Sequence, residues 1–326
     1  MAAALGTAFA RLDRDTLICE TEGKSGLGQI FGKGALGFQE EQLLPHLWAR
    51  TIKPDEALLQ YLEDHAMLKL SRYLVRANLL DYVSTTIPGI KDVIILGKVK
   101  QLVYRNRAYE RPYEHLILDP PAAGHALTFL SSPVGITRAV KVGPLREQAE
   151  EVLGLLADHE MTVVHVVTLP EETPVNEAVE AAQKVVERTR CRLGVVFVNG
   201  CYPPPAETAS PDQIQQWGEE LGVRIEDSLA AALSAAAAFL AERYEMQRHE
   251  VERIKHLLGL PVVELPYLFA AELGIGEVTQ LSEVILAMRS TVDAEAQEAG
   301  EAAAPSDSAD GEIASGAGRG GRAEAF

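Results

Sequence analysis

The chain has 326 residues, 47% hydrophobic, 6% aromatic and 24% charged, which is enough for a large buried core in one big domain or two units. A net charge of −17 argues against a nucleic-acid partner and against adsorption to anionic membranes. Cys19, Cys191 and Cys201 form no CxxC pair and no even framework, which fits a reducing, cytoplasmic compartment, and nothing resembles a signal peptide or a membrane span.

Met1 to Leu12 is helical in composition and leads into the apolar strand TLICE, Thr16 to Glu20. The helix opens without a preceding strand, turn or Ser/Thr cap. The following Gly23-Lys24-Ser25-Gly26 resembles a fragment of a phosphate loop but lacks the spaced glycines of GxxxxGK[ST] and follows the wrong strand. From Gln39 to Ser84 apolar residues recur at helical spacing, broken at Pro45 and Pro54, so a helical insertion is expected. Its Leu58, Leu59, Leu62, Leu68 and Leu70 form wide apolar faces suited to covering a core. Pro88 and Gly89 then precede a helix from Ile90 to Tyr104.

His115 to Leu118 reads as a buried parallel strand ending at Asp119, because Pro120 and Pro121 cannot continue a ladder. Ala122, Ala123 and Gly124 let backbone approach a bound group closely, and a helix opens at His125. An acidic strand tip, a small-residue loop and a helix start make up the Walker B and switch II region of P-loop NTPases. An ordinary strand–helix turn with a capping Asp has the same signature.

A helix over Thr137 to Leu156, a strand over Met161 to Leu169, a helix from Pro174 to Thr189 capped by Thr173 and a strand over Arg192 to Asn199 follow. This alternation implies right-handed parallel crossovers and a doubly wound, mostly parallel α/β sheet. The side-chain amide of Asn199 can read a purine edge, or simply make a turn. Cys201 to Pro211 is a stiff linker and Gln213 to Leu258 a run of long helices. Within it Leu229 to Leu240 is apolar but short, a core or partner helix bounded by Glu226, Asp227, Glu242 and Arg243. Gly259 to Pro266 is the final strand, Ser282 to Met288 the last convincing helical turn, and an acidic tail follows that is expected to be disordered. His125, His159 and His165 lack metal-ligand spacing, and no nucleophile elbow occurs.

The runs LDPPAAGHALTFLSSP and TRAVKVGPLREQ, with TLPEETPVNEAVE, VVFVN, VVELPYL and TTIPGIKDVIILGKVKQLV, occur in the order found in the ArsA/guided-entry ATPases. From Ala2 to about Arg289 the chain resembles the bacterial branch of that anion-transporting-type family of SIMIBI-like P-loop NTPases. The resemblance implies ATP and Mg²⁺, with Asp119 holding the ion through water and the backbone of Gly124 contacting the γ-phosphate. It further implies that Asn199 reads adenine and that the loop beginning at Pro266 closes over the base. Switch I falls at Thr21 to Gly26, where Glu22, or Thr21 in a register shifted by one, would orient water. The family's Walker A loop precedes an AAALG-like helix, so the expected explanations are a start codon placed inside a longer reading frame or a paralogue that lost the loop.

The implied layout is an NTPase core at 1–38, 85–200 and 259–291, helical segments at 39–84 and 201–258, and a tail at 292–326. A homodimer, a heterodimer with a paralogous ATPase, and a client or membrane-protein partner are implied as well. The cysteines match neither the metalloid-binding triad of ArsA nor the zinc clasp of the tail-anchored-protein targeting ATPase.

Overall fold

The computed structural model describes residues 1–21, 26–64, 89–108, 113–121, 123–205 and 208–302. In chain order these form helix α1 (Ala2–Ala10), strand β1 (Thr16–Glu20), α2 (Gly26–Ile30), β2 (Glu41–Leu44), β3 (Leu47–Thr51), α3 (Pro54–Asp64) and α4 (Ile90–Ala108). There follow β4 (His115–Asp119), α5 (Ala123–Ala139), α6 (Pro144–Ala157), β5 (Val163–Thr168), α7 (Glu172–Thr189), β6 (Arg192–Cys201), α8 (Pro211–Glu220), α9 (Asp227–Leu258), β7 (Val262–Pro266) and α10 (Ile275–Ala302).

The strands form two sheets, ordered β2-β3-β1-β4 and β5-β6-β7, with every pairing parallel except β2 against β3. Both sheets are covered on both faces, as strict alternation along each strand requires. Leu17 and Cys19 of β1 join a core with α3, α4, α5, α6 and α7, while Ile18 between them faces α1 and α2. On the second sheet Val196 and Val198 face α7 and α9, and Val195 and Phe197 face α1 and α10. The expected α/β layering is therefore present. The single continuous sheet is not: among the described residues β4 pairs only with β1 and β5 only with β6. Side chains join the two halves instead, Ile117 of β4 packing on the same α1 cluster as Val195, Phe197, Val263 and Leu265.

Helical spacing from Gln39 gives way to a β-hairpin. Pro45 and His46 turn the chain, His46 in the left-handed region at φ 60°, so that Leu47–Thr51 can lie parallel to β1. His46 Nδ1 sits 2.7 Å from Asp15 Oδ1, and its carbonyl accepts from the Thr16 N–H, tying the turn to the start of β1. Of the expected insertion, α3 is described, and the expected helix beyond Asp64 lies outside the described residues. Thr173 is not the cap of α7; Glu171 occupies that position, and the helix begins one residue before Thr173. The predicted helix over 137–156 is broken where Gly143, at φ 107°, and Pro144 restart it as α6. At the other end α10 continues past Asp293 to Ala302, since alanine and glutamate favour helix without an apolar stripe.

His165 repairs a defect in the second sheet. The β5–β6 register shifts between Val164 and Val166, and there the Val195 N–H donates to His165 Nδ1 at 3.0 Å. A Cβ on Gly194 would stand 2.7 Å from the His165 ring, so only glycine fits opposite it. Burial pushes the imidazole below its ordinary pKa. The ring must stay neutral to accept that hydrogen bond. The folded protein thus resists protonation where the unfolded chain does not, and stability falls as pH drops through the ordinary imidazole range of about 6.5. Urea midpoints measured from pH 8 to 5 should therefore decline more steeply for the natural protein than for His165→Asn; parallel slopes would show that this ring does not set the acid sensitivity.

Candidate functional site

The carboxyl ends of β3, β1 and β4 lie in register, Thr51 beside Glu20 and Glu20 beside Asp119. Glu20 is buried, with Thr51 Oγ1 donating to its Oε2 at 3.4 Å. Thr21 Oγ1 donates to the Asp119 carbonyl oxygen at 3.2 Å, fixing the backbone beneath the Asp119 carboxylate, which is exposed. The start of α1 faces the same place. Burial pushes the Met1 α-amino group below its ordinary pKa, and the charge of Asp119 acts on it in the opposite direction. The first turns of α1 and of α5, which opens four residues after Asp119, carry no acidic side chain. Their free N–H groups and dipoles favour an anion. Gly124 lies in that first turn of α5, exposed, with nothing within 4 Å of where a Cβ would stand.

The second sheet presents a different surface. Asn199 ends the regular part of β6 opposite Leu265, and after a register shift Cys201 pairs with Pro266, the last residue of β7. Gly200 makes the shift possible with φ 81°. The chains leaving both strands bring Tyr202 and Tyr267 into a stack with centroids 5.0 Å apart and planes 9° from parallel. Phe269 meets Tyr267 edge-on at 4.8 Å and is 75% exposed. An open aromatic ledge beside an asparagine amide suits a flat, hydrogen-bonding ring. Buried Gln247 of α9 holds the ledge, accepting from the Tyr202 N–H at 2.8 Å and donating to the Gly200 carbonyl at 3.1 Å.

Asp119 and Gly124 thus share one strand–helix turn, and Asn199 and Pro266 share adjacent strand ends on the other sheet. Glu22 lies outside the described residues. Tyr202 and Gln247 were not anticipated, and Tyr267 and Phe269 only as part of the loop expected to close over the base; the sequence signal was an aromatic residue beside proline just after a strand end, in CYPPP and LPYLF. His125 is exposed and contributes to the surroundings of Asp92, whose carboxyl burial pushes upward. Among the described residues no three His, Cys, Asp or Glu form a metal-holding group. A single accessible carboxylate between two helix starts fits Mg²⁺, which keeps most of its waters and needs one or two carboxylates plus phosphate oxygens. Burial pushes the Cys19 thiol up to about 12 and the Cys201 thiol up to about 11, and raises Cys191 too.

Parallel strands, crossover helices and an acidic strand tip beside helix starts define a P-loop NTPase type of α/β protein. Residues 1–149 match the family described as anion-transporting ATPase. The chain is also 29% identical over 300 residues to "Putative ATPase Mb3704" of Mycobacterium bovis and to "ATPase BagA" of Mycobacterium tuberculosis, covering 87% of this chain and 87% of each relative. The sequence-based recognition and fold class stand, and an ATPase-like function is supported. No helix among the described residues is long and apolar enough to cross a membrane.

Gln247→Leu keeps the packing volume but leaves the Tyr202 N–H and Gly200 carbonyl without partners. It should lower unfolding free energy by about 2 kcal/mol and weaken the tyrosine near-UV circular dichroism. Unchanged values for both would remove Gln247 as the support of the ledge.

Proposed function

We propose that the protein binds and hydrolyses ATP in the cytoplasm and passes its nucleotide state to a helical partner surface. The observation that carries this reading is the exposed Asp119 at the end of β4 beside the exposed start of α5, with α1 packed against the strands that lead to Asn199 and Pro266. In it the N–H groups at the starts of α1 and α5 bind phosphate oxygens, including the backbone of Gly124 at the γ-phosphate. Asp119 holds water molecules of a Mg²⁺ ion, which supplies charge neutralisation on the β- and γ-oxygens. Asn199 reads the purine edge, Tyr202 and Tyr267 stack the base, and the segment from Pro266 covers it. Glu22, or Thr21 in the shifted register, orients the attacking water. Gln247 links the base ledge to α9, so a bound base is felt by that long helix.

A second reading is a non-hydrolysing scaffold subunit paired with an intact paralogue. Protein purified from its native locus separates the two. Under the first reading MgATP turnover is measurable and Asp119→Asn lowers it at least about a hundredfold, about 2.7 kcal/mol of barrier, with an unchanged melting midpoint. Turnover within about twofold of the natural protein would remove Asp119 from the role, and no turnover in either protein would favour the scaffold. Tyr267→Ala should raise the Kd for ATP about tenfold or more, by loss of stacking, and leave inorganic phosphate binding unaltered; equal losses for both would mean that the ledge holds no base.

A further inference from the structure

At the carboxyl ends of β1 and β4 the main-chain ladder stops for a covalent reason. Glu20 lies beside Asp119 in register, and the chain leaving β4 continues with Pro120, which has no N–H to offer a further rung. The Glu20 carbonyl accepts from the N–H of Ile52, just past β3, at 2.8 Å. Beyond Asp119 a side chain ties β1 to β4: the Thr21 hydroxyl donates to the Asp119 carbonyl at 3.2 Å, across 98 residues of sequence. Thr21 stands one residue past its strand, where a threonine is ordinarily wet, yet it is only 7% exposed. Similar stitching lies on the other side of β1. There Thr51 Oγ1 donates to Glu20 Oε2, and the Thr51 N–H donates to the Gly37 carbonyl at 2.8 Å. Asp119 is thus the last member of a laced row, its main chain held and its carboxylate exposed.

We propose that Thr21 is a positioning residue for Asp119, and that its hydroxyl does not itself orient the attacking water. Thr21 has this role only if the ATPase reading holds, and of the two registers left open there it gives up the water-orienting one. A hydroxyl has a single proton, and this one is spent on the Asp119 carbonyl in a side chain closed to solvent. Only χ1 and χ2 separate the Asp119 carboxylate from its main chain, so the direction in which it meets a hydrated ion follows the peptide that Thr21 holds. Hydrogen bonds to the ion's water weaken steeply with misalignment. Releasing the carbonyl therefore costs the grip on the ion and leaves the grip on the base. Thr21 leaves β1 and Asp119 ends β4, so the same bond makes the two strand exits settle together.

Protein purified from its native locus, carrying Thr21→Val or Thr21→Ser, alone and combined with Asp119→Asn, tests this. Valine keeps the shape and removes the proton. Thr21→Val should lower MgATP turnover about tenfold. In calorimetry with ADP, where no chemistry occurs, it should shrink the factor by which Mg²⁺ tightens binding at least about threefold, while the Kd for ADP in EDTA stays within about twofold. Thr21→Ser keeps the hydroxyl and should stay within about threefold of the natural protein in both measurements. In the Asp119→Asn background Thr21→Val should cost less than about twofold more, because a residue that acts through Asp119 has nothing left to hold. A further loss of about tenfold in that background would place Thr21 at the water and overturn the proposal. Natural turnover and a natural Mg²⁺ response in Thr21→Val would overturn it too. So would a loss that is equal with and without Mg²⁺, or one that Thr21→Ser shares, since the bond would then be merely structural. A natural protein with neither turnover nor Mg²⁺-dependent ADP binding would remove the ATPase reading itself, and the role of Thr21 with it.

Discussion

The burial of α1 is the constraint on which the rest of the molecule depends. Ala3 through Ala10 are all buried, a helix without a polar face, stable only when wrapped on all sides. It approaches the first sheet so closely that a Cβ on Gly6 would stand 2.8 Å from Ile18 Cδ1. On its other side Leu5 and Phe9 pack into the second sheet and α10. Each such side chain contributes about 2 kcal/mol, whereas the exposed Arg11–Glu283 ion pair at the same junction contributes well under 1. Apolar contact, not charge, therefore joins the two sheets. With no shared ladder between them among the described residues, α1, α10 and the packing of α7 on α5 and α6 set where the Asp119 end lies relative to the Asn199 end.

What was legible in the sequence followed from periodicity confined to one element. The strand at His115, its stop at Pro120, the helix Glu172–Thr189 and the strand from Arg192 each carry their own pattern and stop signal, so their places could be read locally. The hairpin at Glu41–Thr51 could not. Its residues fit a helical stripe as well as a strand, and pairing of Leu47–Thr51 with β1, thirty-one residues away in register, decides between them. The aromatic ledge was hidden for a related reason: Tyr202 and Tyr267 are distant in sequence, and only adjacency of β6 and β7 stacks them. The split sheet was likewise invisible, because side-chain alternation along a strand reports which faces are covered and says nothing of which edge is paired.

Gln247 gives the second sheet a polar counterpart to α1. One buried amide satisfies an acceptor and a donor on the strand-exit segment, so the Gly200 turn and α9 move as one body. The helix carrying that amide is the 32-residue α9. Any change in the exit segment is therefore transmitted along a rigid rod of about 48 Å rather than lost in a loop.

The three thiols have a consequence for chemistry as well as packing. Cys19 and Cys191 are buried, and burial disfavours the thiolate at all three positions, holding Cys19 up to about 12 and Cys201 up to about 11. Nucleophilicity toward peroxide, disulfide or electrophile resides in the thiolate, which is scarce here near neutral pH. The cysteine at the strand end beside the candidate base site is thereby a poor nucleophile near neutral pH.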